Sequence, residues 1–190
     1  MWWLEASWKA RAGQATRIVG VAALGAMVAG CFHPLYGDSS LTGSPAVKTE
    51  LAQVDISQIP APSGAPLARV AVEVRNNLVF GFNGGGTAPP PTHRLNIRMT
   101  SSDTAMSIDL TTGRPDINNY GLNATYELVE IKTGKVVLRD TALARVSYDI
   151  PGEEQRFARA RGLRDAENRA AKEISDNIQT RLASYFIAGT

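Results

Sequence analysis

The chemistry this chain can offer begins with one thiol, Cys31, and two imidazoles, His33 and His93, in 190 residues. Neither histidine stands in a metal-ligand spacing such as H-E-x-x-H. The chain has no G-x-S-x-G, Gly84-Gly85-Gly86 lacks the spaced glycines of a dinucleotide loop, and Gly134-Lys135 lacks the upstream glycine of a phosphate loop. No carboxylates cluster at a strand end, so the residue types give an enzyme reading little to work with. A cationic set remains: Arg94 and Arg98 fall on one polar side of a single strand pattern, and Lys132 and Lys135 bracket a turn. Arginine can hold a phosphate through forked hydrogen bonds and lysine as a point charge, so these four are candidate sites for the phosphates of an anionic glycolipid. The plainer alternative is a solvated sheet face with scattered charge.

Cys31 is placed by what precedes it. Lys9, Arg11 and Arg17 face one acid, Glu5, and the run from Ile18 to Ala29 is uncharged. A cationic leader before a short apolar segment is the layout of an export signal. Twelve apolar residues fall short of the roughly 20 a membrane-spanning helix needs, so the segment reads as one that is cut off. Val28-Ala29-Gly30-Cys31 resembles a bacterial lipobox, in which small residues fit a peptidase groove and the thiol accepts a diacylglycerol group. The alternative is a buried free cysteine after an ordinary signal. With no second cysteine a disulfide is excluded, and two or three acyl chains would anchor the chain stably. The expected product is a lipoprotein beginning at Cys31, carrying covalent diacylglycerol and an N-acyl chain such as palmitate, and no other cofactor or metal.

Removing residues 1–30 takes away three basic and one acidic side chain, leaving 17 of each from totals of 20 and 18. The positive net charge therefore belongs to the leader, and a neutral mature chain speaks against nucleic acid as a partner. The remainder suits one domain able to bury a core without staples.

The expected layout is a signal over 1–30, a lipid-anchored tether over 31–48 and one domain over 49–190. Gly, Ser, Pro and Asp dominate from Phe32 to about Lys48. Leu51 to Ile59 alternates as a half-buried strand, with Val54 and Ile56 on one side, ended by Pro60 and Pro62. Pro66 can open a helix, and Leu67, Val70, Ala71, Val74, Leu78 and Phe82 form its apolar stripe up to the Gly84 triplet.

Leu95, Ile97 and Met99 alternate with Arg94, Asn96, Arg98 and Thr100 as a second strand, which Met106 and Ile108 continue in part. Thr112–Asp116 and Asn118-Asn119 read as a loop. A third strand from about Tyr120 to Ile131 and a fourth from about Val136 to Asp149 are joined by a short turn containing Gly134. Asp140 interrupts the apolar face of the fourth. Glu153-Glu154 suit the first turn of a long last helix reaching about Phe186, with an apolar line of Ala160, Leu163, Ala166, Ala170, Ile174, Ile178, Leu182 and Tyr185. The order β-α-β-β-β-α predicts an α+β two-layer sandwich: a four-stranded, mostly antiparallel sheet covered on one face by two helices.

Four segments in this order resemble the LPS-assembly lipoprotein family, LptE, of alphaproteobacterial type. They are Gly30-Cys31-Phe-His-Pro-Leu-Tyr-Gly37, Arg75-Asn-Asn-Leu-Val-Phe80 with Gly84-Gly-Gly86, Tyr126-Glu-Leu-Val-Glu-Ile-Lys-Thr-Gly-Lys135, and Arg181-Leu-Ala-Ser-Tyr-Phe186. The resemblance implies a non-enzymatic lipoprotein on the periplasmic side of the outer membrane, lodged in the β-barrel LptD, whose assembly it assists and which it plugs. It also implies lipopolysaccharide binding through basic residues on a strand and a hairpin tip, the places Arg94, Arg98, Lys132 and Lys135 occupy. Two other classes are open from the residues alone. One is a periplasmic lipid-binding or transport-accessory lipoprotein working with an inner-membrane transporter, and the other is a lipid-anchored hydrolase.

Overall fold

The computed structural model describes residues 47–108, 115–150 and 156–189, all within one unit. The signal, Cys31 with its neighbours Phe32 to Gly37, and Glu153-Glu154 lie outside the described residues. Helix α1 (Val47–Ala52) leads into β1 (Val54–Ile56), then α2 (Pro66–Asn83), β2 (His93–Ile108), β3 (Pro115–Glu130), β4 (Val136–Asp149) and α3 (Arg156–Ala188). The strands lie in the order β1-β2-β3-β4, parallel between β1 and β2 and antiparallel elsewhere. This is the expected α+β architecture, with both long helices on one side of the sheet.

Alternation fixes which side. Leu95, Ile97 and Met99 of β2, Leu122, Ala124, Tyr126 and Leu128 of β3, and Leu138, Ala142, Ala144 and Val146 of β4 are all buried. Val70, Val74, Leu78 and Phe82 of α2 and Ala166, Ala170, Ile174, Ile178 and Leu182 of α3 close over them. Alanines on α3 let its axis approach the sheet, and at Gly162 a side chain would meet the Asp149 carbonyl at 3.5 Å. Helix α2 ends at Gly84, whose φ of 59° lets its N–H bond the Phe80 carbonyl at 2.7 Å.

Three expectations need correction. The strand placed over Leu51 to Ile59 shrinks to Val54–Ile56, because its first residues complete α1 and Leu51 enters the core from a helix. The loop expected at Asn118-Asn119 is strand: β3 begins at Pro115, and Asn118 and Asn119 pair with Ala105 and Thr104. Asparagine is a poor strand former, but here cross-strand side-chain bonds supply what intrinsic preference does not. In α3 the buried line starts at Ala166, and Ala160 is exposed, on a side of the first turns away from the β4 residues that Gly162 faces.

Candidate functional site

Among the described residues the other side of the sheet carries no helix, and its outward residues are mostly polar, with arginines set among Thr, Asn and Ser. Arg94, Asn96, Arg98, Thr100, Ser102 and Thr104 of β2 are exposed, as are Asn123 and Thr125 of β3 and Arg139, Thr141, Leu143 and Arg145 of β4. Sheet register aligns them in rows. Arg98 stands opposite Thr125 and Thr141, whose hydroxyls lie 3.5 Å apart, and Asn96 stands opposite Glu127 and Arg139. β1 extends the surface, the Ser57 hydroxyl donating to Asn96 Oδ1 at 2.9 Å.

The four predicted cations are not equivalent on this surface. Arg94 Nε reaches Asp55 Oδ2 at 3.1 Å, so its charge is already engaged. Arg139 is likewise held by Glu127 at 2.9 Å. Arg98 has no carboxylate partner among the described residues and stands mid-face. Lys132 and Lys135 flank Gly134 in the turn between β3 and β4. Because Arg94 pairs with Val129, it lies at the same end of the sheet as this turn; Arg98 is four residues along, about 13 Å away at 3.3 Å per residue. The fold thus gathers Arg94, Lys132 and Lys135 at one end and leaves Arg98 apart. His93 meets Phe186 edge-on, ring centroids 5.4 Å apart, and its Nδ1 lies 2.9 Å from the Thr92 hydroxyl. Among the described residues no three His, Cys, Asp or Glu side chains gather as metal ligands would.

Three polar arrangements escaped the sequence reading. Asp140 lies at the margin of the covered face, where its carboxylate accepts the Thr141 N–H at 2.7 Å and Arg181 Nε of α3 at 2.9 Å. Those two bonds, the backbone one first, hold its carboxyl below the usual range. At the far end Tyr148 donates to Asp103 Oδ2 at 2.7 Å, and Asn118 Nδ2 donates to Asp103 Oδ1 at 3.0 Å. Burial above all pushes the Tyr148 phenol up, and it takes Tyr126 in the core up to about 12. Between the helices, Arg69 of α2 pairs with buried Glu167 of α3 and donates to Asn168 Oδ1 at 2.8 Å. Asp140 was visible in the sequence as a break in an apolar alternation; its partner Arg181, 41 positions away, was not, nor was the pairing of Arg69 with Glu167 across 98 positions.

A cleft of about 500 Å³ opens at the far end between β4 and α3, lined by Tyr148, Asp149, Gly162, Asp165 and Arg169 among others. Asp165 is bound by Arg169 at 2.8 Å, and Arg169 also donates to the Ser147 carbonyl at 3.3 Å. That pairing engages Arg169 and Asp165 with each other, leaving Asp149 as the further carboxylate on the cleft wall.

Among solved structures, the chain is similar to a Caulobacter crescentus protein described as a lipoprotein, at TM-score 0.53 and 20% identity, covering 76% of this chain and 97% of that one. It is also similar to the rare lipoprotein B of Shewanella oneidensis, at TM-score 0.51 and 15% identity, covering 71% and 96%. At such identities the likeness concerns the fold. A comparison with curated protein sequences found no match. Residues 51–182, from the last turn of α1 almost to the end of α3, match the LptE family, described as lipopolysaccharide-assembly, and the chain belongs to that family.

Proposed function

We propose that this chain is a non-enzymatic lipoprotein subunit of the lipopolysaccharide translocon, anchored on the periplasmic side of the outer membrane through acyl chains on Cys31. In this reading it plugs an LptD-type β-barrel, assists its assembly and binds lipopolysaccharide. Membership of the lipopolysaccharide-assembly family carries the proposal. The uncovered sheet face supports it physically. Large barrels have polar interiors, and a face of Thr, Asn and Ser, with Arg94 and Arg139 already paired to Asp55 and Glu127, suits such a wall and leaves Arg98 to meet an acceptor on the wall or on the ligand. Arg98, with its guanidinium uncommitted, is the strand residue best placed to fork onto a phosphate of lipopolysaccharide, since Arg94 is tied to Asp55. Lys132 and Lys135 add positive charge at the end of the same surface.

An accessory that carries lipid for an inner-membrane transporter would want a cavity between helices and sheet. In the middle of the domain that space is filled by Tyr126, Phe82, Leu78, Leu122, Ile174 and Ile178, all buried, and the cleft between β4 and α3 is lined by Asp165 and Arg169 rather than by an apolar wall.

The test is a detergent pull-down from membranes with a C-terminal tag, together with depletion in cells. Co-purification of a large barrel and reduced surface lipopolysaccharide are expected. A clean monomer without a barrel would sink the proposal.

A further inference from the structure

We propose that the end of the domain carrying the β3–β4 turn rests on the bilayer, and that its occupant is the headgroup layer of anionic phospholipid. At this turn the Thr133 hydroxyl donates to Glu130 Oε2 at 2.6 Å and accepts the Lys135 N–H at 3.3 Å, so the carboxylate nearest the turn is engaged locally. Lys132 and Lys135 are exposed and have no carboxylate partner among the described residues. Beside them Ile131 is 41% and Val136 39% exposed. Helix α3 ends at the same place, set by the Phe186 contact on His93, which pairs with Glu130; the next residue, Ile187, is 56% exposed. Ammonium groups interleaved with aliphatic side chains suit the headgroup layer, with lysines on phosphates and aliphatic carbons at the acyl boundary.

Apolar exposure alone does not choose between the two ends, since at the far end Phe157 is 86% and Met106 62% exposed. The path of the chain does. The Gln53 carbonyl accepts the N–H groups of Thr92 at 2.9 Å and His93 at 3.4 Å, so α1 and the start of β1 lie at the turn end. From Cys31 to Val47 the chain runs sixteen residue steps, a span of at most about 56 Å when fully extended. β2, of 16 residues, is about 50 Å long at 3.3 Å per residue. Setting the far end on the bilayer would use nearly all of that reach, whereas setting the turn end there uses almost none. The inference rests on the acylation of Cys31 proposed above, and it is compatible with a body lodged in a barrel, because only the end nearest the anchor need face the leaflet.

The test uses the acylated chain purified from membranes, in which Cys31 is the sole native cysteine. Val136→Cys then supplies one free thiol for a fluorophore near the turn, and Thr104→Cys supplies one toward the far end. Each is incorporated into phosphatidylcholine vesicles with or without phosphatidylglycerol, containing a lipid quencher at headgroup depth. Quenching at position 136, dependent on phosphatidylglycerol and several-fold above that at 104, is the expected result. Lys132→Gln with Lys135→Gln should lower the ratio of bilayer-bound to free turn about 30-fold, roughly fivefold per lysine, and arginine at both positions should restore it. Equal quenching at both sites, no dependence on phosphatidylglycerol, or a Cys31 without acyl chains would overturn the proposal. Quenching that needs added lipopolysaccharide would overturn the phospholipid assignment and leave the lipopolysaccharide reading standing. Turn contact retained in a chain that fails to bind lipopolysaccharide would do the reverse.

Discussion

The three long strands present two faces that differ in what they owe to stability. The covered face is specified residue by residue: Leu95, Leu122, Leu128 and Tyr126 are buried, and a one-residue slip of register would turn them all to water. The uncovered face has no such demand on it. Thr100, Asn123, Thr125 and Thr141 lie there in solvent, and many side chains would serve folding equally well. A sheet open on one side therefore separates the two tasks, keeping the fold in one set of alternate residues and leaving the other set available for recognition.

That separation is broken most directly by matched truncations at two positions of β3, three residues apart and on opposite faces. Leu122→Ala should cost about 2–5 kcal/mol, since the lost contacts leave a cavity under α3. Thr125→Ala on the opposite face should stay within about 0.5 kcal/mol. Urea denaturation of both variants measures the difference, and comparable losses would mean that the open face is structural after all.

A second prediction concerns the ion pair holding the helices together over the covered face. The Glu167 side chain is only 5% exposed, and removing its partner leaves a carboxylate in a dry place. Arg69→Ala should cost about 3 kcal/mol, and pairing it with Glu167→Leu should recover much of that, because an apolar replacement removes the stranded charge. If the double variant is no better than the single, the pair is not a buried-charge problem but a packing one.

The covered face also reaches its end in a polar network, where Tyr148, Asn118 and Asp103 meet. Tyr148→Phe keeps the ring and deletes the hydroxyl, and should cost about 1–2 kcal/mol in the same denaturation assay. A neutral result would show that Asn118 and water satisfy Asp103 unaided.

How much of this was legible in the sequence follows from the same division. The covered face and both long helices are written in local periodicity, in Leu95-x-Ile97-x-Met99 and in the Val70 to Phe82 stripe, so their elements and their common partner could be read off. Asn118 and Asn119 could not, because their strand is held by Asp103 and Tyr148, residues 15 and 30 positions away whose approach no local pattern encodes. The true start of β1 has a related cause: Leu51 is apolar but falls on the side of Gln53 and Asp55, opposite Val54 and Ile56, and packing of α1 against the long helices buries it from a helix. On the open face the sequence named Arg94, Arg98, Lys132 and Lys135 as equals. Cross-strand register then tied Arg94 to Asp55 and left Arg98 with no carboxylate partner among the described residues, a distinction that depends on which strand becomes the neighbour.

Asp140 stands at the boundary between the two faces, and its titration sharpens the comparison. It falls in the inward set of β4, yet β4 is an edge strand, and there the carboxylate turns back to accept the Thr141 N–H and Arg181. A carboxylate bound to its own strand's backbone occupies a hydrogen-bonding group that another strand could otherwise use. Because both bonds favour the charged form, the folded-state pKa lies below the unfolded one. The stabilisation is thus fully present above the ordinary aspartate range and is lost as pH falls through the depressed folded value. Asp140 and Arg181 are each partly exposed, so solvent screening limits the effect to under about 1 kcal/mol. Asp140→Asn should therefore be slightly less stable than the native chain near neutrality, and the two urea midpoints should converge as pH drops below the range in which Asp140 titrates. A gap that persists at low pH would assign the loss to the changed shape of the side chain, and Asp140 would then belong with the packed face.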